Sequence, residues 1–492
     1  MKVLFLASEM DGLVKTGGLA DVARALPEQL RKKGVDVRVV IPCYRPLLAK
    51  NFAVKIPQLE TRLNHFNSYF SAVRETEVSS VPVYLLEHNQ FFDREGLYSD
   101  RYGDFGDNTI RFALLCKAAL DICDTLNWYP DIVHCNDWQT SLAPLYLKEH
   151  LHLHPGFANT RTLLTIHNGL FQGHSPGHQR YEIGMHQGFF SPAVFEDHGQ
   201  LNLLKGGIVM ADAINAVSPG YHDELLTPEG SHGLWMYYGG RRDNFYGILN
   251  GCDYGTWSPD VDPHISQQYS ASEMTGKNAC KNSLQQANNL HQNADIPVLG
   301  IVSRLTDQKG FQYLLPALEE LLRYDHEHYF QLVALGSGEA KFADWLAQLA
   351  LDFPDRVRFT NGYNEALSHQ IEAGADFFLM PSAFEPCGLN QIYSLKYGTL
   401  PIVRETGGLR DTVVGLDDHY SNLPIATGFS FAEPAADACK WAIAKALHVW
   451  QYNRDLYQQM QHQAMEQDFS WQQPVQQYLN LYSRILSDTS GR

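Results

Sequence analysis

The sequence lacks the features that would tie the chain to a membrane, a disulfide framework or a nucleic acid. None of its apolar runs approaches the roughly 20 residues of a spanning helix, and the N-terminal run MKVLFLAS is too short for a signal peptide. Its eight cysteines form no CxxC or CxxH pair, so neither disulfides nor a zinc site is indicated. Lys and Arg total 38 against 55 Asp and Glu, a formal net charge of −17, which disfavours nucleic acid and membrane as partners. We therefore expect a cytoplasmic protein with reduced thiols.

Short apolar runs alternate with helical patterns in two separate stretches of the chain, which is typical of doubly wound parallel sheets. The predicted strands of the first stretch are residues 2–8, 35–41, 131–135, 162–167 and 213–217. Those of the second stretch are 296–303, 330–335, 356–360, 376–380 and 400–403.

Turn formers cluster at residues 250–262, between the two stretches. We therefore predict an α/β protein with two Rossmann-like domains, 1–250 and 251–470, that face each other across a deep cleft. The apolar residues of 471–492 have helical spacing, and we expect this segment to cap one of the two domains.

The loop after the first predicted strand carries Lys15, Gly17 and Gly18, and the helix that follows carries Asp21. Glycines let the backbone approach a ligand, while a lysine and the free amides of a helix N-terminus favour an anion such as a diphosphate. The loop contains neither GxGxxG nor GxxxxGK[ST], so a plain tight turn is an equally good interpretation.

A second cluster, SRLTDQKG (303–310), follows the first strand of the second stretch. Its Arg304 and Lys309 lie at the strand end where ligands of open α/β sheets bind, so both could contact one anion. The alternative is a surface ion pair between these cations and Asp307.

A third cluster, PSAFEPCGL (381–389), follows the strand at 376–380. The carboxylate of Glu385 and the neighbouring amides suit hydrogen bonds to the hydroxyls of a sugar or ribose, although helix capping is more common for a lone glutamate. Thr406 and Gly407 repeat the pattern of strand, glycines and helix one unit later.

Together, these clusters and the motifs between them resemble the family of bacterial glycogen synthases and plant starch synthases over nearly the whole chain. The motifs are KTGGLADV (15–22), YGDFGDNTIRF (102–112), HCNDWQ (134–139), TIHN (165–168), NLLKGGI (202–208), AVSPGY (216–221), ILNGCD (248–253), SRLTDQKG (303–310), GYNEALSH (362–369), PSAFEPCGLNQ (381–391) and YGTLPIVRETGGLRDTV (397–413). Each is weak alone, but the ordered set is specific. The resemblance implies the GT-B architecture and a retaining glucosyltransferase that moves glucose from ADP-glucose to the non-reducing end of an α-1,4-glucan such as glycogen.

The resemblance also implies roles for residues of the first, acceptor-side domain. These residues are Lys15, Gly17, Gly18, Asp21, Tyr98, Asp137, His167 and Asn250. Lys15 and the two glycine amides match contacts to the donor diphosphate, and Asp21 matches an essential acidic residue. His167 and Asn250 match residues beside the transferred glucose, while the other two match contacts to glucose or acceptor glucan.

In the second, nucleotide-sugar-binding domain the matching residues are Arg304, Lys309, Tyr363, Glu385, Cys387, Gly388, Thr406 and Gly407. Arg304 and Lys309 match the pair that neutralises the leaving diphosphate, and Tyr363 matches the aromatic ring that stacks on the base. Glu385, with the amides of the two residues after Pro386, matches the group that holds the glucose hydroxyls. Since two cations would take the place of a metal and no DxD motif is obvious, we expect neither a metal nor another cofactor.

One position and one segment depart from the family pattern. Gln139 stands where a histidine is frequent, which puts acceptor contacts near it in doubt. Tyr393 stands where wider GT-B enzymes carry a second glutamate, as the resemblance to this subgroup implies. Residues 230–247 are unusually aromatic, and we expect a recessed core helix there rather than an altered glucan surface.

Other functions remain open at this level. An enzyme that uses UDP-glucose as its donor, or a different acceptor, would keep the fold, and so would a non-catalytic glucan-binding protein. The non-catalytic protein would lose charged site residues, which are all present here. A nicotinamide-dependent oxidoreductase should carry GxGxxG, which the first loop does not. A glycosidase would need two carboxylates about 5 to 10 Å apart and would leave the anion-binding residues unexplained.

Overall fold

The computed structural model describes residues 1–488, and for residues 150–153 only the backbone. The chain divides into two compact units. The N-unit consists of Met1–Asn250 and the segment from Trp471 onward, and the C-unit of Gly251–Ser470. Among the described residues, no helix is both long and apolar enough to cross a membrane.

The N-unit is built on a twisted, mostly parallel sheet. Its strands are β1 (Lys2–Leu6), β2 (Asp36–Pro42), β3 (Ala53–Arg62), β4 (Ser68–Val78), β5 (Val81–Glu87), β6 (Ser99–Asp100), β7 (Gly103–Asp104), β8 (Ile132–Asn136), β9 (Arg161–Ile166), β10 (His174–Pro176), β11 (Glu196–Asp197), β12 (Gln200–Asn202), β13 (Ala213–Ala216) and β14 (Phe245–Gly247). The main sheet has the order β14-β13-β9-β8-β1-β2-β5-β4-β3, and only β4 runs antiparallel to its neighbours.

Helices cover the central strands, which is why these strands are apolar on both faces. The helices of the N-unit are α1 (Gly18–Lys32), α2 (Arg45–Leu48), α3 (Asn89–Phe92), α4 (Asn108–Thr125), α5 (Asp137–Thr140), α6 (Ala143–Leu153), α7 (Leu203–Met210), α8 (Pro219–Leu225) and α9 (Trp235–Gly239). All residues of β8 are buried, whereas β3 is largely exposed. Because β1 lies between β2 and β8, the strand order reverses there, and the carboxyl ends of β1 and β8 form the edge where such sheets bind ligands.

The C-unit repeats this design with a fully parallel sheet. Its strands are β15 (Val298–Leu305), β16 (Gln331–Gly338), β17 (Val357–Asn361), β18 (Phe377–Met380), β19 (Leu400–Arg404) and β20 (Phe429–Phe431), in the order β17-β16-β15-β18-β19-β20. Its helices are α10 (Thr275–Ala287), α11 (Phe311–Tyr324), α12 (Ala340–Asp352), α13 (Glu365–Gly374), α14 (Asn390–Lys396), α15 (Gly407–Thr412), α16 (Ala436–Tyr452) and α17 (Arg454–Met465). In this sheet the strand order reverses between β15 and β18, which makes their carboxyl ends the switch point of the C-unit.

The last helix, α18 (Gln472–Ser487), returns to the N-unit, where it packs against α1. Its Tyr478 hydroxyl accepts a hydrogen bond from Asn215 Nδ2 at 3.0 Å, and the Tyr482 hydroxyl lies 2.7 Å from His134 Nδ1. His134 Nε2 also bonds Thr165, so this histidine is a satisfied core residue. Residues 489–492 of the expected cap lie outside the described residues.

Every predicted strand overlaps an observed one, but the pattern missed the long strands β3, β4 and β5 and the two- and three-residue strands β6, β7, β10, β11, β12, β14 and β20. The expected core helix at 230–247 is only partly correct. Tyr238 on α9 is buried and stacks on Phe245 at 5.3 Å, whereas Trp235 and Met236 are 42% and 62% exposed. The reason is that α9 has only five residues, so a single turn can bury one side while the other faces solvent.

Candidate active site

Glu9 lies just beyond the carboxyl end of β1 and organises the loop that follows. Its carboxylate accepts hydrogen bonds from the backbone N and the hydroxyl of Thr16, at 2.5 and 2.7 Å. Burial raises the pKa of Glu9, although the bonds from Thr16 oppose the rise. The sequence motifs did not single out this residue, and its place directly after the first strand was the available signal.

Lys15 and Asp21 meet at the start of α1. Lys15 Nζ lies 2.5 Å from Asp21 Oδ1 and 3.6 Å from Asp11 Oδ1. Burial raises the pKa of Asp21, and the charge of Lys15 opposes this. The Lys15 side chain is half-exposed, and its ion pairs hold it near the helix N-terminus, where an anion is favoured.

Gly17 and Gly18 begin α1, and the packing of the protein itself does not require glycine at either position. A Cβ at Gly17 would find its nearest neighbour, Glu9 Oε1, at 3.8 Å, and a Cβ at Gly18 would meet no atom within 4 Å. Neither residue has a positive φ. The pair leaves open space at the start of α1, where Gly17 is the N-cap, and this space suits the close approach of a ligand.

Tyr98 reaches the same edge of the sheet. Its hydroxyl lies 2.7 Å from Ser8 Oγ, one residue before Glu9. Burial raises its pKa well above the ordinary value, and the charges of Glu9 and Asp137 add to the rise. Tyr98 therefore presents a neutral hydroxyl beside two carboxyl groups.

Asp137 begins α5 directly after β8. Its φ of 56° lies in the left-handed region, a strained conformation for a residue other than glycine and one often found at functional sites. Its Oδ1 accepts hydrogen bonds from the backbone N of His167 at 2.6 Å and of Asn168 at 3.3 Å. Burial raises the pKa of Asp137 to about 7, since these two bonds only partly offset the desolvation.

His167 follows β9 and is held by Asn136. Its Nε2 lies 2.9 Å from Asn136 Oδ1, and Asn136 Nδ2 donates to the carbonyl of Leu6 at 2.8 Å. This second bond sets the orientation of the amide, so His167 Nε2 is the donor and Nδ1 carries the lone pair. Burial lowers the pKa of His167 to about 3, so the ring is neutral at pH 7.

Asn250 ends the N-unit at the carboxyl side of β13. Its backbone N donates to the carbonyl of Val217 at 3.2 Å, and its side-chain Oδ1 is buried without a hydrogen-bond partner among the described residues. Gln139 is buried as well, 7% exposed, and its Oε1 also has no hydrogen-bond partner among the described residues. Both buried carbonyl oxygens are therefore able to accept a hydrogen bond from a ligand hydroxyl.

In the C-unit, Lys309 and Glu385 form an ion pair at the switch point between β15 and β18. Lys309 Nζ lies 2.5 Å from Glu385 Oε2, and Ser382 Oγ donates to the same oxygen at 2.8 Å. The two loops touch at Gly310, where φ is +79° and a Cβ would lie 2.0 Å from the carbonyl of Pro381. Glu385 therefore orients a cation and is not the helix cap that a lone glutamate would suggest.

Arg304 lies near the end of β15 and has an exposed side chain. The expected alternative, an ion pair with Asp307, is not formed. Both carboxylate oxygens of Asp307 instead lie 3.1 Å from Lys341 Nζ. Arg304 is thus available to an anion from solution.

The loop that carries Glu385 is held against the start of α15. Gly408 N donates to the carbonyl of Glu385 at 3.0 Å, and a Cβ at Gly408 would lie 2.1 Å from the carbonyl of Cys387. Thr406 precedes α15, and Gly388 and Gly407 both have a positive φ, +73° and +43°. Arg404, which the motifs did not single out, supports this loop by donating to the carbonyls of Ser382 and Ala383.

Tyr363 lies between β17 and α13 and is 85% exposed. An aromatic ring so exposed is costly to leave in water and is a natural stacking surface for a base. The C-unit thus holds two cations, a buried carboxylate and an exposed ring, while the N-unit holds the Lys15–Asp21 ion pair, buried carboxyl groups of raised pKa and a neutral histidine beside its switch point.

Comparison with known proteins agrees with this arrangement. The family described as starch synthase catalytic domain matches residues 2–237, and that of the glycosyl transferases group 1 matches residues 284–465. A glycogen synthase of Aeromonas salmonicida is 44% identical over 99% of both chains, and one of Aliivibrio fischeri is 42% identical over 99% of both.

Solved structures show the same relationship. The catalytic domain of starch synthase IV from Arabidopsis thaliana, bound to ADP and acarbose, superposes with a TM-score of 0.89 at 30% identity, over 99% of both chains. Sucrose-phosphate synthase from Thermosynechococcus elongatus, at 18% identity and a TM-score of 0.60, shares the fold.

The two sheets with their polar switch points define a glycosyltransferase of the GT-B class, an enzyme with two Rossmann-like domains. The chain belongs to the glycogen synthase and starch synthase family, the retaining glucosyltransferases of glycogen biosynthesis. The predicted family, fold class and enzyme activity are therefore confirmed, and the oxidoreductase and glycosidase alternatives are wrong.

Proposed function

We propose that this chain extends glycogen by transferring glucose from ADP-glucose to the non-reducing end of an α-1,4-glucan, with retained configuration. The observation that carries the proposal is the pair of Lys309 and Glu385 at the switch point of the C-unit, where Lys309 Nζ lies 2.5 Å from Glu385 Oε2. The exposed Arg304 lies near the end of β15, the strand that precedes Lys309. The ADP bound in the plant relative supports the choice of nucleotide.

In the proposal, the C-unit binds the nucleotide and stabilises the leaving group. Arg304 and Lys309 face the diphosphate, where negative charge grows as the bond to glucose breaks. Tyr363 stacks on the base, and Thr406 and Gly407 bring amides of α15 to the phosphates. Glu385 has a double role, since it orients Lys309 and offers its remaining oxygen to glucose hydroxyls.

The remaining C-unit residues, Cys387 and Gly388, contribute backbone amides to the sugar. The buried side chain of Cys387 fits this, because its amide rather than its thiol would act.

The N-unit is proposed to hold the sugar and the acceptor. Lys15 and the amides of the adjacent glycine pair contact the diphosphate, and Asp21 orients Lys15. Tyr98, Asp137 and Asn250 offer neutral or weakly charged oxygens to hydroxyl groups. His167, neutral at pH 7, accepts a hydrogen bond at Nδ1 from a hydroxyl of the transferred glucose.

The chemistry needs no protein nucleophile. The bond between C1 of glucose and the phosphate oxygen breaks, and the acceptor O4 forms its bond to C1 on the same face. The leaving phosphate oxygen takes the proton of that hydroxyl. The protein contributes cations and amides that are already oriented toward the developing charge, which is usually the largest catalytic effect. We propose that these groups act without a metal.

The test is an incorporation assay. Purified protein is mixed with glycogen and radiolabelled ADP-glucose or UDP-glucose, with EDTA present throughout, and label in the polymer is measured. We expect incorporation from ADP-glucose despite EDTA. Incorporation from UDP-glucose alone would overturn the donor, and loss of activity in EDTA would overturn metal independence. No incorporation from either donor by folded protein would contradict the proposal as a whole.

A cytoplasmic location stays a prediction.

A further inference from the structure

A second polar cluster of the C-unit lies on residues to which the proposed reaction gives no role. It consists of His264, Glu365 and His369, and one potential ligand atom from each lies within 4.8 Å of the others. Glu365 and His369 are four residues apart on α13, so their side chains lie on the same face of the helix. His264 comes from the segment that precedes α10.

His369 is the buried member of this cluster, with no exposed side-chain surface. Its Nδ1 lies 2.7 Å from Asp262 Oδ2, so this nitrogen donates its proton to the carboxylate. Its Nε2 then carries the lone pair, and it is buried without a hydrogen-bond partner among the described residues. Histidines that bind a metal usually donate the N–H of one ring nitrogen to a carboxylate, which orients the ring, and bind the metal through the other nitrogen.

The surrounding contacts hold both histidine segments in place. Asp262 Oδ1 accepts a hydrogen bond from the backbone N of His264 at 2.8 Å, so one carboxylate connects the two histidines. Trp257 stacks on the His369 ring at 3.7 Å with an interplanar angle of 9°. Stacking covers the face of the ring but leaves its edge available, and the edge is where a metal binds.

We propose that His264, Glu365 and His369 bind one divalent transition-metal ion of the zinc class. Two imidazole nitrogens and one carboxylate oxygen form a donor set that suits zinc, with water as the fourth ligand. Ligand atoms of a tetrahedral zinc ion lie about 3.4 Å apart, as bond lengths near 2.1 Å require. His264 and Glu365 are exposed, so rotation of their side chains can close the remaining gap while His369 stays fixed.

The bound ion would join the first turn of α13 to the segment before α10. It would act on the stability of the C-unit and not on the transfer step. Cysteine spacing could not indicate this site, because its proposed ligands are two histidines and a glutamate. His264 is about 100 residues away from the other two ligands in the chain, so the three residues meet only in the folded unit.

The test uses the full chain after treatment with a chelator. Zn²⁺ binding is measured by calorimetry, and Co²⁺ is used as a spectroscopic probe of tetrahedral coordination. We expect one site that raises the thermal midpoint when filled. His264→Gln and Glu365→Gln should each weaken that site by about tenfold or more, since even the loss of an outer-shell partner costs that much. Both residues are exposed, so neither substitution threatens folding.

Two variants serve as controls. His291→Gln removes another exposed histidine of the C-unit, and His448→Gln disrupts a second group of potential ligands, Glu327, His328 and His448. Both should keep the affinity of the proposed site. Wild-type affinity and stoichiometry in His264→Gln and Glu365→Gln would overturn the proposal, as would loss of the site in His448→Gln. Co²⁺ that stays octahedral throughout would overturn it as well.

Discussion

The polar clusters of the two units sit at equivalent places in similar sheets, yet they differ in charge. In the C-unit, the buried Glu385 is paired with Lys309, and Arg304 adds a second cation near the end of β15. In the N-unit, burial raises the pKa of Glu9, Asp21 and Asp137, while the nearby cations Lys15 and Arg24 act on Asp21 and form ion pairs with Asp11. The same architecture therefore places two cations at the switch point of one unit and, at that of the other, several buried carboxyl groups with a lysine at the helix N-terminus.

The contrast has a simple physical basis. An ammonium group beside a buried carboxyl opposes the rise in pKa that burial causes, as Lys15 does for Asp21, whereas only backbone N–H groups oppose the rise at Asp137. A sugar needs donors and acceptors of hydrogen bonds, and a leaving diphosphate needs positive charge. In the proposal, Arg304 and Lys309 of the C-unit, together with Lys15 of the N-unit, supply the positive charge that the leaving diphosphate needs.

The largest effect on activity is expected from removal of the cations of the C-unit, which distinguish its polar cluster from that of the N-unit. Lys309→Ala and Arg304→Ala should each lower kcat by about 100-fold to 1000-fold, equivalent to about 3 to 4 kcal/mol of lost transition-state stabilisation. Steady-state kinetics with ADP-glucose measures this. Lys341→Ala, which removes an exposed lysine bound to Asp307, is the control and should keep wild-type kcat. Wild-type kcat in either site variant would remove that residue from the reaction.

A smaller effect is expected from the exposed ring of the C-unit. Tyr363→Ala should raise the KM for ADP-glucose about tenfold and leave kcat nearly unchanged, because stacking on a base is worth about 1 to 3 kcal/mol. Tyr324→Ala removes another exposed tyrosine of the same unit, 73% exposed, and should change neither constant. An unchanged KM in Tyr363→Ala would exclude this ring from the base site.

The smallest effect concerns the N-unit and its pH dependence. Burial raises the pKa of Asp137 to about 7, so its carboxyl gains a proton as the pH falls from 8 to 6. The backbone N–H groups of His167 and Asn168 donate to the ionised form and hold the loop after β9. We therefore expect kcat/KM to fall through an inflection near pH 7 as this form is lost.

Asp137→Asn should remove that inflection and leave a flatter profile with lower activity, since the amide cannot accept both bonds as well as a carboxylate. Asp121→Asn is the matched control, because burial raises the pKa of Asp121 to about 6 on α4, away from the switch point. An inflection that survives in Asp137→Asn but is lost in Asp121→Asn would reverse the assignment.

Most of the sheet framework could be predicted from the sequence. Buried parallel strands such as β8 and β18 are short apolar runs, and such runs stand out among helices and turns. The pattern failed at β3, whose mostly exposed residues follow no apolar run, because an edge strand draws its stability from pairing with β4. It also failed to foresee that Trp235 and Met236 would be exposed.

The candidate active site, too, could be predicted from the sequence only in part. Lys309 and Glu385 were expected from family motifs in separate segments, and the structure shows their 2.5 Å contact. Glu9 lies outside the family motifs, and Arg404 lies within one of them without an assigned role, so both were missed as residues that hold a loop. A supporting residue is recognised by the backbone groups it bonds, and these bonds are absent from the sequence.

The sequence by itself determined the alternation of strands and helices, the family and the types of residue that line each switch point. These are properties of neighbouring residues and of ordered motifs, so they can be read along the chain. Only the tertiary structure decided which groups are charged and which histidine nitrogen carries the proton. Burial sets the pKa of Asp137 and His167, and Asn136 sets the tautomer of His167. Both depend on atoms that folding brings together from distant parts of the chain.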